Sequence, residues 1–228
     1  MNIRRSFLLW LAFLPLFVNG QTLTGMSGLL NIPSADMQAD GTFILGANYL
    51  PRINQPADFN YNTENYFFNL TFLPFLEVAY KLTLIRTPQK INQDRSASFR
   101  LQLIKEKSYL PSITVGVHDF HTTSGGGNQF FEANYIVLTK HFKIQENDIG
   151  ITAGYGTNII MKNSRFIGFF GGMSVTPGFC KPLKFMGEYD CNGVNLGGSL
   201  LLFKHLYLFS MAQHLQYFAG GMAYRIYL

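Results

Sequence analysis

From residue 42 onward the chain alternates apolar or aromatic residues with polar or small ones, in runs of about ten closed by turns. Thr42 to Leu50 places Phe43, Leu45, Ala47 and Tyr49 on one face. Tyr66 to Phe72 sets Tyr66, Phe68, Leu70 and Phe72 against Asn69 and Thr71, and Leu76 to Leu84 sets Leu76, Val78, Tyr80, Leu82 and Leu84 against Glu77, Ala79, Lys81 and Thr83. Ala97, Phe99, Leu101 and Leu103 oppose Ser98, Arg100 and Gln102. The period of two continues through Ile113–Val117, Phe131–Val137, Ile149–Tyr155, Phe166–Phe170, Leu183–Asp190, Val194–Leu202, Leu206–Ala212 and Phe218–Leu228. In the fifth of these runs Ile113, Val115 and Val117 oppose Thr114, Gly116 and His118. In the sixth, Phe131, Ala133, Tyr135 and Val137 read as the apolar, outward face, and Glu132 and Asn134 as the inward one. The pattern predicts an all-β protein of about twelve antiparallel strands.

Strands with one oily and one polar face suit two architectures. A soluble sandwich hides the oily face and shows charge outside. A membrane β-barrel turns the oily face to lipid and the polar face to its lumen. Charged residues make up 14% of the 228 residues, against about 25% in an ordinary soluble domain, while aromatics reach 15%. The polar faces are rich in Gly, Ser, Thr and Asn. Mean hydropathy is only +0.09, too low for a bundle of membrane helices. These features favour a transmembrane barrel over residues 41–228. Connection lengths agree: the first, third and fifth (51–65, 86–95, 120–128) are long, whereas Leu73-Pro74-Phe75 and Phe203-Lys204-His205 are tight. Tyr49, Tyr66, Tyr155, Tyr189 and Tyr224 fall near strand ends, where rings sit at headgroup level.

Residues 1–20 read as a signal peptide: Arg4-Arg5 is followed by an apolar stretch from Phe7 to Val18 and a small-residue cleavage point after Gly20. That places the mature chain beyond the inner membrane. Residues 21–40 alternate poorly, and we read them as an extended, plug-like segment at or inside the barrel mouth. Ser34 or Asp36 could cap a short helix there. Cys180 and Cys191 would lie at opposite ends of one strand, too far apart to bridge, which predicts two free thiols. The net charge of +5 is scattered, with no basic stripe for nucleic acid.

The inward charges Glu77, Lys81, Arg100, Glu132, Glu188, Asp190 and Arg225 form the main candidate constellation. A Lys or Arg facing lipid at the midplane would cost about 2–4 kcal/mol, and alternation sends all seven toward the lumen. They read foremost as a salt-bridged filling and secondly as a polar path for sugar hydroxyls. His118, Asp119, His121 and Ser124 lack the elbow that positions a nucleophile, so Asp119 reads as a strand terminator. Gly125–Gly127 lacks the Lys and helix of a phosphate loop. No catalytic, cofactor or metal set emerges, and the sequence is read as non-enzymatic. The rival readings are an outer-membrane enzyme acting on glycans or lipids, and a structural barrel or small-solute pore.

Three stretches, in order, resemble the YjbH family. They are Gly25-Met26-Ser27-Gly28-Leu29-Leu30-Asn31-Ile32-Pro33-Ser34-Ala35 with Asp40-Gly41; Leu110-Pro111-Ser112-Ile113-Thr114-Val115-Gly116-Val117-His118-Asp119-Phe120; and Gly187-Glu188-Tyr189-Asp190 with Gly193-Val194-Asn195. The chain is similar to a short, single-barrel version of that family and lacks the lipoprotein cysteine many members carry. The resemblance implies an outer-membrane β-barrel of a Gram-negative bacterium with a role in exopolysaccharide or capsule biosynthesis or export. Its implied partners are membrane lipid, polysaccharide and polysaccharide-export proteins.

Overall fold

A computed structural model describes residues 20–54, 61–86, 90–122, 131–158 and 165–228. The leader, residues 1–19, Ser124 and the glycine run 125–127 lie outside the described residues. Twelve strands follow in order: β1 (Thr42–Leu50), β2 (Thr63–Leu73), β3 (Leu76–Arg86), β4 (Ile91–Ile104), β5 (Ser112–Thr122), β6 (Ala133–Ile144), β7 (Asn147–Gly156), β8 (Gly168–Thr176), β9 (Leu183–Tyr189), β10 (Val194–Leu202), β11 (Leu206–Gln213) and β12 (Tyr217–Tyr227). Each pairs antiparallel with its chain neighbours, and β1 pairs with β12 from Thr42↔Tyr227 to Tyr49↔Gly220, so the sheet closes into a barrel. Closure leaves no sheet edge with unpaired backbone groups.

The period-two pattern decides which side chains go where. Leu45, Tyr66, Phe68, Phe72, Phe99, Ile136, Leu138, Ile151, Tyr155, Met173, Phe185, Leu196, Phe218, Met222 and Tyr224 all point outward and are exposed. Asn48, Asn65, Asn69, Glu77, Arg100, Thr114, Thr139, Glu188, Asn195 and Arg225 are buried inside. An apolar outside around a polar inside is the reverse of a water-soluble core.

On β6 the structure corrects the sequence reading. Ala133, Tyr135 and Val137 face inward and are buried, while Ile136 and Leu138 face out. The reason is space. Gly116 of β5 lies opposite Tyr135, and Gly154 of β7 lies opposite Phe170 of β8. A Cβ on Gly116 would sit 2.4 Å from the Tyr135 hydroxyl, and one on Gly154 would sit 2.2 Å from the Phe170 ring. The interior glycines leave pits, and the two aromatic rings fill them, edge to face at 6.3 Å. Phe170 of β8 is therefore buried, while Phe169 beside it points outward with 79% of its surface exposed. The lumen wall also carries Phe67, Tyr207 and Phe209, so it is more aromatic than its Gly-Ser-Thr-Asn content implies.

Residues 20–40 run inside this wall. Leu23, Met26, Leu29, Leu30, Ile32 and Ala35 are buried there, and short antiparallel bridges join Gln21 to Ser27 and Gly28 to Pro33. No helix forms at 33–36; the Ser34 hydroxyl instead accepts the Asp36 N–H at 3.3 Å and donates to its carboxylate at 3.1 Å. Two glycines permit the tight path. Gly25 adopts φ +83°, and Gly28 packs so closely that a Cβ would meet Thr22 Cγ2 at 2.3 Å and the Ile32 carbonyl at 2.4 Å. Cys180 and Cys191 are free, beyond opposite ends of β9.

Candidate functional site

The inner segment is held by wall side chains that take over its backbone hydrogen bonds. Alternation brings Glu77 of β3 opposite Arg100 of β4, and both are fully buried with Arg100 Nε 3.5 Å from Glu77 Oε2. Glu77 Oε1 accepts the Ser27 N–H at 2.7 Å and Asn69 Nδ2 at 2.5 Å. Arg100 donates to the carbonyls of Ser27 and Asp36. Around them Gln102 and Thr114 donate to the Ala35 carbonyl, and Thr139 accepts the Ala35 N–H at 2.8 Å. Asn48 and Asn65 both donate to the Leu23 carbonyl, and the Gln21 N–H donates to the Tyr207 hydroxyl.

Across the lumen, Glu188 of β9 accepts three consecutive backbone N–H groups, from Leu30 at 2.9 Å, Asn31 at 2.7 Å and Ile32 at 3.3 Å. Such a cradle is an anion site turned inside out, with the protein supplying both the anion and the donors. Asn195 links Glu188 to Asp190, donating to both at 2.8 and 3.0 Å, and Asn31 donates to Asp190 at 2.8 Å. Burial alone would raise the Asp190 carboxyl, but bonds from Asn195, Asn31 and the Asn192 N–H outweigh it and hold the group below the ordinary aspartate range.

The other sequence candidates stand apart. Lys81 lies with its ammonium 3.3 Å from the Phe131 ring centre. Arg225 stacks over Tyr207 at 4.9 Å. Glu132 precedes β6, and its place is set by the loop rather than by alternation; it is buried, and its carbonyl accepts the Arg165 N–H. Asp119, at φ 54°, accepts the Phe131 N–H at 3.1 Å, and His118 bonds the Tyr135 hydroxyl at 3.0 Å, so among the described residues neither addresses a nucleophile. His118 and Asp119 shape the wall.

The mouth of the barrel carries a cavity of whose lining residues alternation marks only Asp190. It measures about 310 Å³ and opens where the β1–β2, β7–β8, β9–β10 and β11–β12 connections converge over Asn31 of the inner segment. Asn54, Arg165, Phe166, Asp190, Asn192, Gln213 and His214 line it. Asn54 and Gln213 form a reciprocal amide pair at 2.6 and 3.1 Å, and Arg165 donates to the Asn54 side chain at 3.0 Å and to its carbonyl at 3.1 Å. Burial pulls the Arg165 guanidinium down to about 10, with Asp190 opposing the shift, so it stays cationic at neutral pH. Asn54 precedes Arg165 by 111 positions, and Asp190, Asn192, Gln213 and His214 lie in or beside separate later connections. Alternation carries no information about loops, and only Asp190 was marked by it.

The fold and its filling define the class: a closed, twelve-stranded antiparallel barrel whose lumen holds its own N-terminal segment. The chain belongs to the YjbH family, whose model, described as exopolysaccharide biosynthesis protein YbjH, matches residues 21–181. The match covers the inner segment and β1 through β8; the Glu188–Asp190 element lies beyond it. No curated protein matches the chain.

Proposed function

We propose that the protein is an outer-membrane β-barrel that serves exopolysaccharide biosynthesis or export without catalysing a reaction and without conducting the polymer through its lumen. The observation that carries this is the pairing of an apolar outer surface with a lumen occupied by residues 20–40. A ring of exposed Phe, Tyr, Leu, Ile and Met fits hydrocarbon better than water. A small barrel filled by its own chain leaves no bore for a polysaccharide. Among the lumen carboxylates, Glu77 binds Ser27, Asn69 and Arg100, Glu188 takes three backbone N–H groups, and Asp190 takes Asn31, Asn195 and the Asn192 N–H, which supports a structural role for these three. The family match supplies the link to exopolysaccharide, and action beside export proteins, on polymer or partner, is the role left to such a barrel.

The test is twofold. Deleting the gene should reduce surface polysaccharide, and purified protein in a planar bilayer should give no steady current. Unchanged polymer in the deletion strain, or an open channel of stable conductance, would overturn the reading.

A further inference from the structure

We propose that a cleft on the outer side of the mouth, beside Tyr49 and Phe218, binds the phosphorylated sugar headgroup of a membrane glycolipid. This rests on the outer-membrane reading and names the lipid that the outward rim would meet.

The cleft is built at the seam where β1 and β12 close the barrel. Tyr49, near the end of β1, pairs in register with Gly220 of β12, which has no side chain to cover the outer face. The Phe218 ring leans over that gap, its Cζ 3.3 Å from where a Cβ on Gly220 would sit. Tyr49 and Phe218 thereby meet with ring centres 6.3 Å apart and planes tilted by 34°, and both are exposed. Arg52 of the β1–β2 connection, Asn62 just before β2, Gln216 of the β11–β12 turn and Tyr217 complete a cleft of about 560 Å³. That volume falls inside the roughly 300–1,000 Å³ of ligand sites.

Position decides the body of the ligand. The β1–β2 connection is one of the long ones, and long connections mark the outward rim of a membrane barrel. Tyr49 and Phe218 belong to the lipid-facing rows of β1 and β12, so the cleft continues the apolar belt up to headgroup level, where tyrosine rings settle. An occupant needs an apolar body along the wall and a polar head at the rim. A soluble polysaccharide lacks the first of these.

Charge decides the head. Glu64, which register places beside Tyr49, is already paired with Arg86 at 2.6 Å. Arg52 is exposed, and its backbone N–H goes to Asn62 Oδ1 at 3.0 Å. Its guanidinium makes no ion pair or hydrogen bond with any of the described residues. At the edge of a hydrocarbon surface the counter-charge comes from the lipid itself. Guanidinium and phosphate match in two parallel, charge-assisted hydrogen bonds. Beside that contact, the exposed amides of Asn62 and Gln216 can donate to and accept from sugar hydroxyls. A tyrosine that only marks the headgroup level needs neither a cleft beside it nor a cation at its lip.

The experiment uses the full mature chain in detergent micelles, with lipid binding followed by native mass spectrometry. Three probes separate the chemistry: diphosphoryl lipid A, phosphatidylglycerol as phosphate without sugar, and digalactosyl diacylglycerol as sugar without phosphate. Lipid A should bind about tenfold more tightly than either of the others. Arg52→Gln should weaken lipid A by about tenfold, Arg52→Lys should fall between, and Lys204→Gln at the far rim should change nothing. Phe218→Ala should weaken lipid A as well. Heat-modifiable migration on gels checks that each variant is folded; the three-lipid comparison on the unaltered chain needs no variant. No binding of lipid A, equal affinity for either other lipid, or unchanged affinity in a folded Arg52→Gln would overturn the proposal. Protein that enters liposomes yet fails these comparisons would sink the cleft alone, whereas protein that never enters them would sink the outer-membrane reading beneath it.

Discussion

Glu188 shows how a single side chain can decide the interior. Replacing it with Ala leaves the N–H groups of Leu30, Asn31 and Ile32 without their acceptor, at about 1–3 kcal/mol for each buried group left unmade. Glu188→Ala should therefore lower the temperature at which the heat-modifiable form is lost and speed amide exchange in residues 27–33, while Glu188→Gln, which keeps one acceptor oxygen, should do less. Glu77→Ala is expected to cost about 3–5 kcal/mol, because it strands the fully buried Arg100. Equal exchange in wild type and Glu188→Ala would show that the carboxylate does not hold the segment. Both acids were legible from alternation alone, since a charge at an inward position of a strand must be answered by something inside. Their actual partners, backbone groups of residues 27–32, were not legible, because a segment without period gives no hint of where it lies. Cys191 illustrates a milder case: burial first, and the nearby Asp190 second, push its thiol up to about 11, so it should label with maleimide at neutral pH more slowly than an ordinary exposed cysteine.

Among the elements, the strands were read nearly to their ends, and the turns and faces account for the differences. The β10–β11 hairpin turns on Phe203 and Lys204 at φ 52° and 65°, a conformation that normally selects Asn-Gly. Each non-glycine residue there carries a penalty of about 1–2 kcal/mol. Phe203→Asn with Lys204→Gly should stabilise the barrel by about 1 kcal/mol or more in urea unfolding from micelles; destabilisation would mean that the exposed Phe203 ring has a role of its own. The inverted face of β6 has a different origin. Tyr135 and Val137 look like lipid-facing residues, and only their cross-strand neighbours Gly116 and Gly154 reveal the vacant interior beside them. One strand does not contain that information; three adjacent strands do. At the opposite end of the barrel from the mouth cleft, Glu106 joins the β4–β5 connection to β6. Its own burial would raise it, but the His141 N–H and imidazole and the Lys140 ammonium hold its carboxyl below the usual range. A depressed carboxyl contributes its stability above the unfolded value, near 4.3, and loses it as pH falls through the folded one. Amide exchange at residues 105–110 should accordingly be slow at pH 7 and accelerate below about pH 4, and exchange indifferent to pH once the intrinsic acid dependence is removed would contradict the latch.

For the whole molecule, everything proposed about function depends on which solvent meets the outer face. The closed barrel could be anticipated from the period of two, from the scarcity of charge and from the alternation of long and short connections. The filled lumen needed the positions of residues 20–40, and the mouth cavity needed four loops at once, so neither could be reached from spacing along one strand. The lipid assignment has a sharp consequence at Phe68, midway along β2 and exposed. Phe68→Arg should lose about 2–4 kcal/mol of folding free energy in a bilayer, yet change little if that face met water. More direct still is flotation of the purified mature chain with liposomes after an alkaline wash and removal of free detergent. The expected result is protein that floats with the vesicles and keeps its heat-modifiable, folded migration. A folded monomer left in the aqueous fraction, stable with neither lipid nor detergent, would contradict it.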